Sequence, residues 1–331
     1  IPRILSDIMR GSGEAVGTVF ALVGSIGLGC AIAIARIAYE EGANGLSIAF
    51  PRAWLLVILL LGFCELTGRR LTMSLKSWLA CLFPGLLLSH MFYGNIAAAE
   101  FIPAAVAALL FFIFPPLVTI INAAVDRRPP SPMKLGATLI AFAGLAVMLG
   151  VSLDNLDWRG VALGLSAGMF CSINITWVSR KLSHIDPVVS MTHMALVAAV
   201  CLTGATLFFD GVPLPSGRAG WAAMLGAAAM QASCIPLLYI VLPAIGPERM
   251  GILSNIQPVA TIFVAYLALG EALRPMQFLG AIMILGGILL MQYAAKRERL
   301  AIAPAPSPEL EVNIPEMPHG SPTLGNDQHR A

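Results

Sequence analysis

Ser254, Gln257 and Thr261 stand at i, i+3 and i+7 in an apolar run, so a helix carries their hydroxyl and amide groups along one stripe, with Pro258 beside it. His90, Tyr93 and Ala97 repeat that spacing, Phe170, Asn174 and Trp177 form a third face, and Gln231 lies near the middle of its own apolar run. The chemistry these groups offer is hydrogen bonding to a bound solute, since hydroxyl, amide, phenol, indole and imidazole supply donors and acceptors without a reactive pair. One motif points elsewhere. Gly164-Leu165-Ser166-Ala167-Gly168 matches G-x-S-x-G, which in serine hydrolases needs a strained strand-to-helix turn and a nearby base. Ser166 sits within a helical apolar run instead, where an intramembrane serine hydrolase remains the alternative reading. The glycines explain themselves more simply: Gly160, Gly164 and Gly168 recur every four residues, a stripe of small residues that lets helices approach closely. No HExxH, P-loop or GxGxxG is present, and no cofactor or metal is expected.

The elements that must position these groups follow from composition. The chain has 331 residues, 58% hydrophobic and only 11% charged, with a mean hydropathy of +0.83. An ordinary soluble domain carries about 25% charge, and so apolar a chain lacks the polar surface to cover a water-exposed fold. The net charge of +2 gives no case for nucleic acid. All six cysteines lie in apolar segments without a CxxC pair and read as small buried residues.

Runs of about 20 apolar residues suffice to cross the hydrocarbon of a bilayer. Ten are expected, at 15–37, 48–66, 77–98, 103–124, 133–151, 159–179, 187–209, 219–242, 248–268 and 275–295. The first is followed directly by further spans, so it reads as a span and not as a cleavable leader. Short connections make consecutive helices antiparallel neighbours. Residues 1–14 form an N-terminal cytoplasmic segment, and 296–331, polar and interrupted by prolines from Pro304 to Pro322, read as a disordered cytoplasmic tail. With both termini cytoplasmic, fourteen Lys and Arg fall inside, among them Arg69, Arg127, Lys134, Arg180 and Arg249. Only Arg36, Arg52, Arg159, Arg218 and Arg274 fall outside, which satisfies the positive-inside rule.

Part of the chain recurs after 143 positions: Pro115 as Pro258, Pro132-Met133 as Pro275-Met276, Gly144 as Gly287 and Met148 as Met291. Residues 15–151 and 152–295 are thus two copies of a five-helix unit. Copies with an odd number of crossings insert upside down relative to each other, the architecture of an alternating-access carrier.

The block from Ile102-Pro103-Ala104-Ala105 through Pro115 to Pro132 and Gly144 resembles the repeated unit of the EamA-type members of the drug/metabolite transporter superfamily. Its counterpart runs from Gly246-Pro247 through Pro258, Gly270-Glu271 and Pro275 to Gly286-Gly287. The first copy departs from the pattern, with Asp126-Arg127-Arg128 and a proline-rich turn in place of the Gly-Glu pair. The resemblance implies an all-α, ten-helix inverted-repeat fold and a multi-pass carrier of the bacterial inner membrane, in which export of amino acids or related metabolites is common. Its partners would be a small-molecule substrate and the lipid bilayer, with proton or exchange coupling, and it leaves the oligomeric state open.

A solute in such a carrier is expected near the midplane, where helices are locally broken. Pro115, Pro116, Pro236 and Pro258 lie well inside their runs and are the expected hinges. Where the ninth run carries Ser254, Asn255 and Gln257, the fourth carries Phe111, Phe112 and Phe114, which suggests one polar and one aromatic wall and a solute with both kinds of surface. The expected binding residues are therefore His90, Tyr93, Phe114, Asn174, Trp177, Gln231, Ser254, Gln257 and Thr261. No carboxylate falls mid-span, so His90, then His193, is the candidate for proton coupling. Arg36 and Arg52 are placed near the outer ends of the first two spans, where long stems snorkel to water, with a gating role as the further option. An uncoupled channel would want a ring of charge, and none is seen.

Overall fold

The computed structural model describes residues 13–98, 101–102, 104–150, 156–208, 212–269 and 274–302. The expectations for residues 1–12, for Pro103, for the Gly270-Glu271 pair and for the tail from 303 onward lie outside them. Within the described residues the fold is helical throughout: α1 (Gly13–Glu40), α2 (Gly45–Thr67), α3 (Leu75–Ala98), α4 (Ala104–Phe111), α5 (Phe114–Asp126), α6 (Pro132–Leu149), α7 (Trp158–Lys181), α8 (Pro187–Phe208), α9 (Arg218–Ile245), α10 (Pro247–Leu253), α11 (Ile256–Leu269) and α12 (Pro275–Ile302). Nine spans among the described residues are long and apolar enough to cross a membrane. The run expected at 248–268, which forms the short α10 and α11, is not among them.

Helix ends follow local chemistry. Asn44 caps α2 by accepting the Ser47 amide at 2.9 Å while Ser47 Oγ receives the Asn44 amide, closing a capping box. Between α9 and α10 there is a single residue, Gly246, at φ 79°, a conformation that side chains resist. Pro247 then starts the next helix, where its missing N–H costs nothing. At the far end α12 continues to Ile302, so residues 296–302, read from sequence as the start of a disordered tail, are helical. Lys, Arg and Glu simply extend the helix past its apolar portion.

The fourth and ninth runs break at equivalent places, α4 ending at Phe111 with α5 starting at Phe114, and α10 ending at Leu253 with α11 starting at Ile256. Pro115 and Pro116 occupy the first turn of α5, as Pro258 does that of α11. These prolines therefore follow a break instead of kinking a continuous helix, because the first turn is where a missing donor is tolerated. Pro236 lies in the interior of α9, which continues through it.

Exchange symmetry relates the copies. Helix α1 packs on α9 as α7 packs on α3, and α1 on α11 as α7 on α5. Between α6 and α12 the correspondence is residue by residue: a Cβ on Gly144 would lie 2.8 Å from the Gly280 carbonyl, and one on Gly287 would lie 2.6 Å from the Ala137 carbonyl. The 143-residue shift converts one pair into the other. As numbers rise along α6 they fall along α12, so these equivalent helices are antiparallel. The same holds for α2 and α8, where Trp54 Nε1 donates to Thr203 Oγ1 at 3.1 Å and Cys64 meets Thr192.

Candidate functional site

A cavity of about 300 Å³ lies between the copies, walled by α1, α2, α3, both broken helices, α7 and α9. One wall is aromatic. Phe111, Phe112 and Phe114 line it with ring centroids 5.5–5.9 Å apart. Facing them in the other copy are Ser254 and Gln257, which occupy the repeat-equivalent positions of Phe111 and Phe114. Ser254 Oγ is turned to the Met250 carbonyl at 3.0 Å, whereas the side-chain amide of Gln257 has no hydrogen-bond partner among the described residues and borders the cavity. The remaining polar lining is Tyr39, Arg52, Gln231 and Tyr239.

Arg52 corrects the sequence reading. Placed near a span end, it was expected to reach water, but α2 begins at Gly45 and the residue lies two turns inside. Ala49, Ala53 and Leu56 on the same face are fully buried, so that stripe carries Arg52 inward, to 7% exposure. The guanidinium lies 3.9 Å over the Phe92 ring, donates from Nη2 to the Phe92 carbonyl at 3.1 Å and from Nη1 to Gln231 Oε1, and leaves Nε buried without a partner. It is the sole charged group in the lining, and among the described residues no carboxylate pairs with it.

Of the residues expected from sequence, Phe114, Gln231, Ser254 and Gln257 line this cavity together. The others do not. Asn174 lies behind the wall, fully buried, where it accepts the Tyr239 hydroxyl at 2.7 Å and donates to the Pro84 carbonyl at 2.7 Å. Trp177 Nε1 donates to the Ala80 carbonyl at 3.1 Å, the group that Pro84, lacking an N–H, leaves unbonded in α3. Thr261 bonds the Gly29 carbonyl at 2.9 Å, and Tyr93 packs against the main core. Of the hinge prolines, none borders the cavity, although Phe114 immediately precedes Pro115.

Neither histidine reaches the cavity. His193 Nδ1 bonds the Val189 carbonyl of its own helix at 2.9 Å. His90 Nε2 meets Ser166 Oγ at 2.9 Å, which joins the imidazole to the serine of the G-x-S-x-G match. Ser166 Oγ also donates to the Leu163 carbonyl at 3.0 Å, a bond that competes with donation of its proton to His90. The ring rests edge-on against Phe170, centroids 4.8 Å apart. The glycines of the motif serve packing: a Cβ on Gly168 would lie 2.7 Å from the Phe111 carbonyl, and one on Gly164 3.0 Å from Leu110 Cβ.

Among the described residues, four ion pairs, each joining the N-terminal half of the chain to the C-terminal half, gather at the end of the bundle where α1 begins. They are Glu14–Arg249, Arg69–Asp186, Asp126–Arg180 at 2.7 Å and Lys134–Glu248 at 3.0 Å. The cavity extends the other way, to Tyr39 near the opposite end of α1. Sequence reasoning placed Arg52 at a span end, with gating as its further option, and did not single out Tyr39 or Tyr239. Arg52 carried a usable signal, because it continues the Ala49–Ala53–Leu56 stripe, whereas no spacing rule distinguishes the two tyrosines from interfacial aromatics.

Two antiparallel copies of a helical unit, apolar on the outside and enclosing a solute-sized cavity, define a multi-pass membrane protein of the transporter class. The chain belongs to the EamA-like transporter family, whose family model matches twice, over residues 15–150 and 158–293. The threonine/homoserine exporter RhtA of Escherichia coli strain K12 is 29% identical over 245 residues, spanning 70% of this chain and 79% of the relative, and RhtA of strain O157:H7 matches equally. A solved structure titled "Crystal structure of protein" shares the fold at TM-score 0.70 and 18% identity, covering 85% of this chain and 99% of its own.

Proposed function

We propose that the chain exports a small organic metabolite, an amino acid or related amphipathic solute, by alternating access. In this reading α10 and α11 together form a tenth crossing, the copies are inverted in the membrane, both termini are cytoplasmic and the membrane is a bacterial inner membrane. The observation that carries it is the cavity itself: a volume of about 300 Å³, at the small end of the roughly 300–1,000 Å³ typical of small-molecule sites, bounded by both broken helices. One aromatic and one hydrogen-bonding wall suit a solute with both surfaces. The class of relative agrees, since RhtA is named as a threonine/homoserine exporter. With cross-copy ion pairs at the cytoplasmic end, the described conformation is closed inward. Access then alternates as those pairs part. The described lining holds no carboxylate to titrate, which favours exchange over proton coupling.

An unbiased metabolite comparison between cells with and without the protein should name a solute, and liposomes holding the purified protein should move it. Gln257→Ala should slow that movement while leaving the protein folded. Unchanged transport by this variant would remove the polar wall from the site, and absence of any metabolite difference would remove the carrier reading.

A further inference from the structure

A cation two turns inside an apolar helix is expensive unless something compensates it. Arg52 has five N–H groups, and the described residues provide Gln231 Oε1, the Phe92 carbonyl and the Phe92 ring, all neutral. Nε has no acceptor among them. The lining supplies no negative charge, yet Arg52 borders the cavity beside Gln231. A purely structural arginine at this depth would be expected to sit against an acid, as Arg180 sits against Asp126 and Arg249 against Glu14. Here the missing counter-charge has space reserved for it.

We propose that Arg52 binds the carboxylate of the transported solute, so that the cavity selects small organic monocarboxylates by charge and the aromatic wall receives their apolar part. Guanidinium presents a planar fork that matches a carboxylate bidentately, and the bond is strongest where water is excluded. Gln231 holds the fork in place in the empty site and can yield its acceptor position to the stronger anion. No acid lines the cavity, so an ammonium group on the solute is met by neutral acceptors such as Gln257 and contributes less than the carboxylate. This rests on the carrier reading of the cavity.

The test is direct binding to the full chain in detergent, with isocaproate against isocaproamide and L-threonine against L-threoninamide. The acids should bind wild type at least about tenfold more tightly than their amides. Arg52→Gln should bind acid and amide alike, and Arg52→Lys should keep the preference at lower affinity. Amides binding as well as acids, no acid binding to wild type, or an undiminished preference in Arg52→Gln would each overturn the assignment. Should Arg52→Gln not fold, the acid-to-amide ratio of wild type and of Arg52→Lys decides. Acid binding with no metabolite difference in cells would sink the carrier reading and leave the anchor standing, whereas transport of amides as readily as acids would do the reverse.

Discussion

Replacing Trp177 by Phe separates two roles that an aromatic residue on a membrane helix can have. Pro84 lies inside α3 and leaves the Ala80 carbonyl without its usual i+4 donor, and the indole of α7 supplies one at 3.1 Å. Phenylalanine keeps a ring beside Phe83, whose centroid lies 4.8 Å from that of Trp177, but removes the donor. In a Pro84→Ala background the helix provides its own N–H, and the indole bond becomes redundant. Trp177→Phe should therefore cost more in wild type than in Pro84→Ala, by the worth of one interhelical hydrogen bond. Such bonds average about 0.6 kcal/mol in membrane proteins and reach about 1.7. A carbonyl that its own helix cannot satisfy belongs near the top of that range, since an orphaned buried polar group costs about 1–3 kcal/mol. A coupling of about 1.5 kcal/mol is expected, and packing losses common to both backgrounds cancel in the double-mutant cycle. Reversible unfolding of the four proteins in mixed micelles, followed by helical circular dichroism, measures it. A coupling below about 0.3 kcal/mol, within ordinary additivity error, refutes the repair argument. So does a loss of solute affinity without a loss of stability, which would return Trp177 to the cavity wall.

Two further outcomes follow from packing and charge. Gly287→Ala drives a Cβ to 2.6 Å from the Ala137 carbonyl and 2.8 Å from Ala141 Cβ, while Gly286→Ala meets nothing within 4 Å. The helix-propensity gain is common to both, so their difference in unfolding free energy should equal the overpacking cost of about 1–3 kcal/mol, and equal stabilities would show that α6 and α12 are not so closely packed. Arg249→Gln removes the Glu14–Arg249 ion pair and should loosen the end of the bundle that the four pairs close. Alkylation of Cys171, which lines the cavity, by a reagent supplied only at that end should rise several-fold by peptide mapping, and unchanged labelling would mean that Arg249 does not hold the closure.

Much of the fold was legible because membrane insertion turns composition into geometry. Uninterrupted apolar runs predict helices, since hydrocarbon leaves backbone groups no other partner. The 143-residue shift then related the copies before any contact was known. Divergence between Phe111, Phe112 and Phe114 and the polar ninth run also survived, as two walls of one cavity. Helical spacing predicted poorly which polar residues would face it. Asn174, Trp177 and Thr261 stand on proper polar stripes, but their bonds go to the Pro84, Ala80 and Gly29 carbonyls of neighbouring helices. A stripe shows that a side chain avoids lipid, and a neighbouring helix satisfies that requirement as well as a cavity does.

By itself the sequence determined that this chain is a helical membrane protein built from a duplicated unit, because hydropathy and repetition are properties of the chain alone. The breaks in front of Pro115 and Pro258 were marked by those prolines, though as kinks. Only the tertiary structure decided which groups border the cavity and where Arg52, the one buried cation among the described residues, lies. Arg52 was placed at a membrane surface by its distance from an apolar boundary, and the start of α2 at Gly45 with the burial of its Ala49–Ala53–Leu56 stripe moved it to the cavity wall. Depth and facing depend on how helices pack around one another, and that is settled by contacts between residues far apart in the chain.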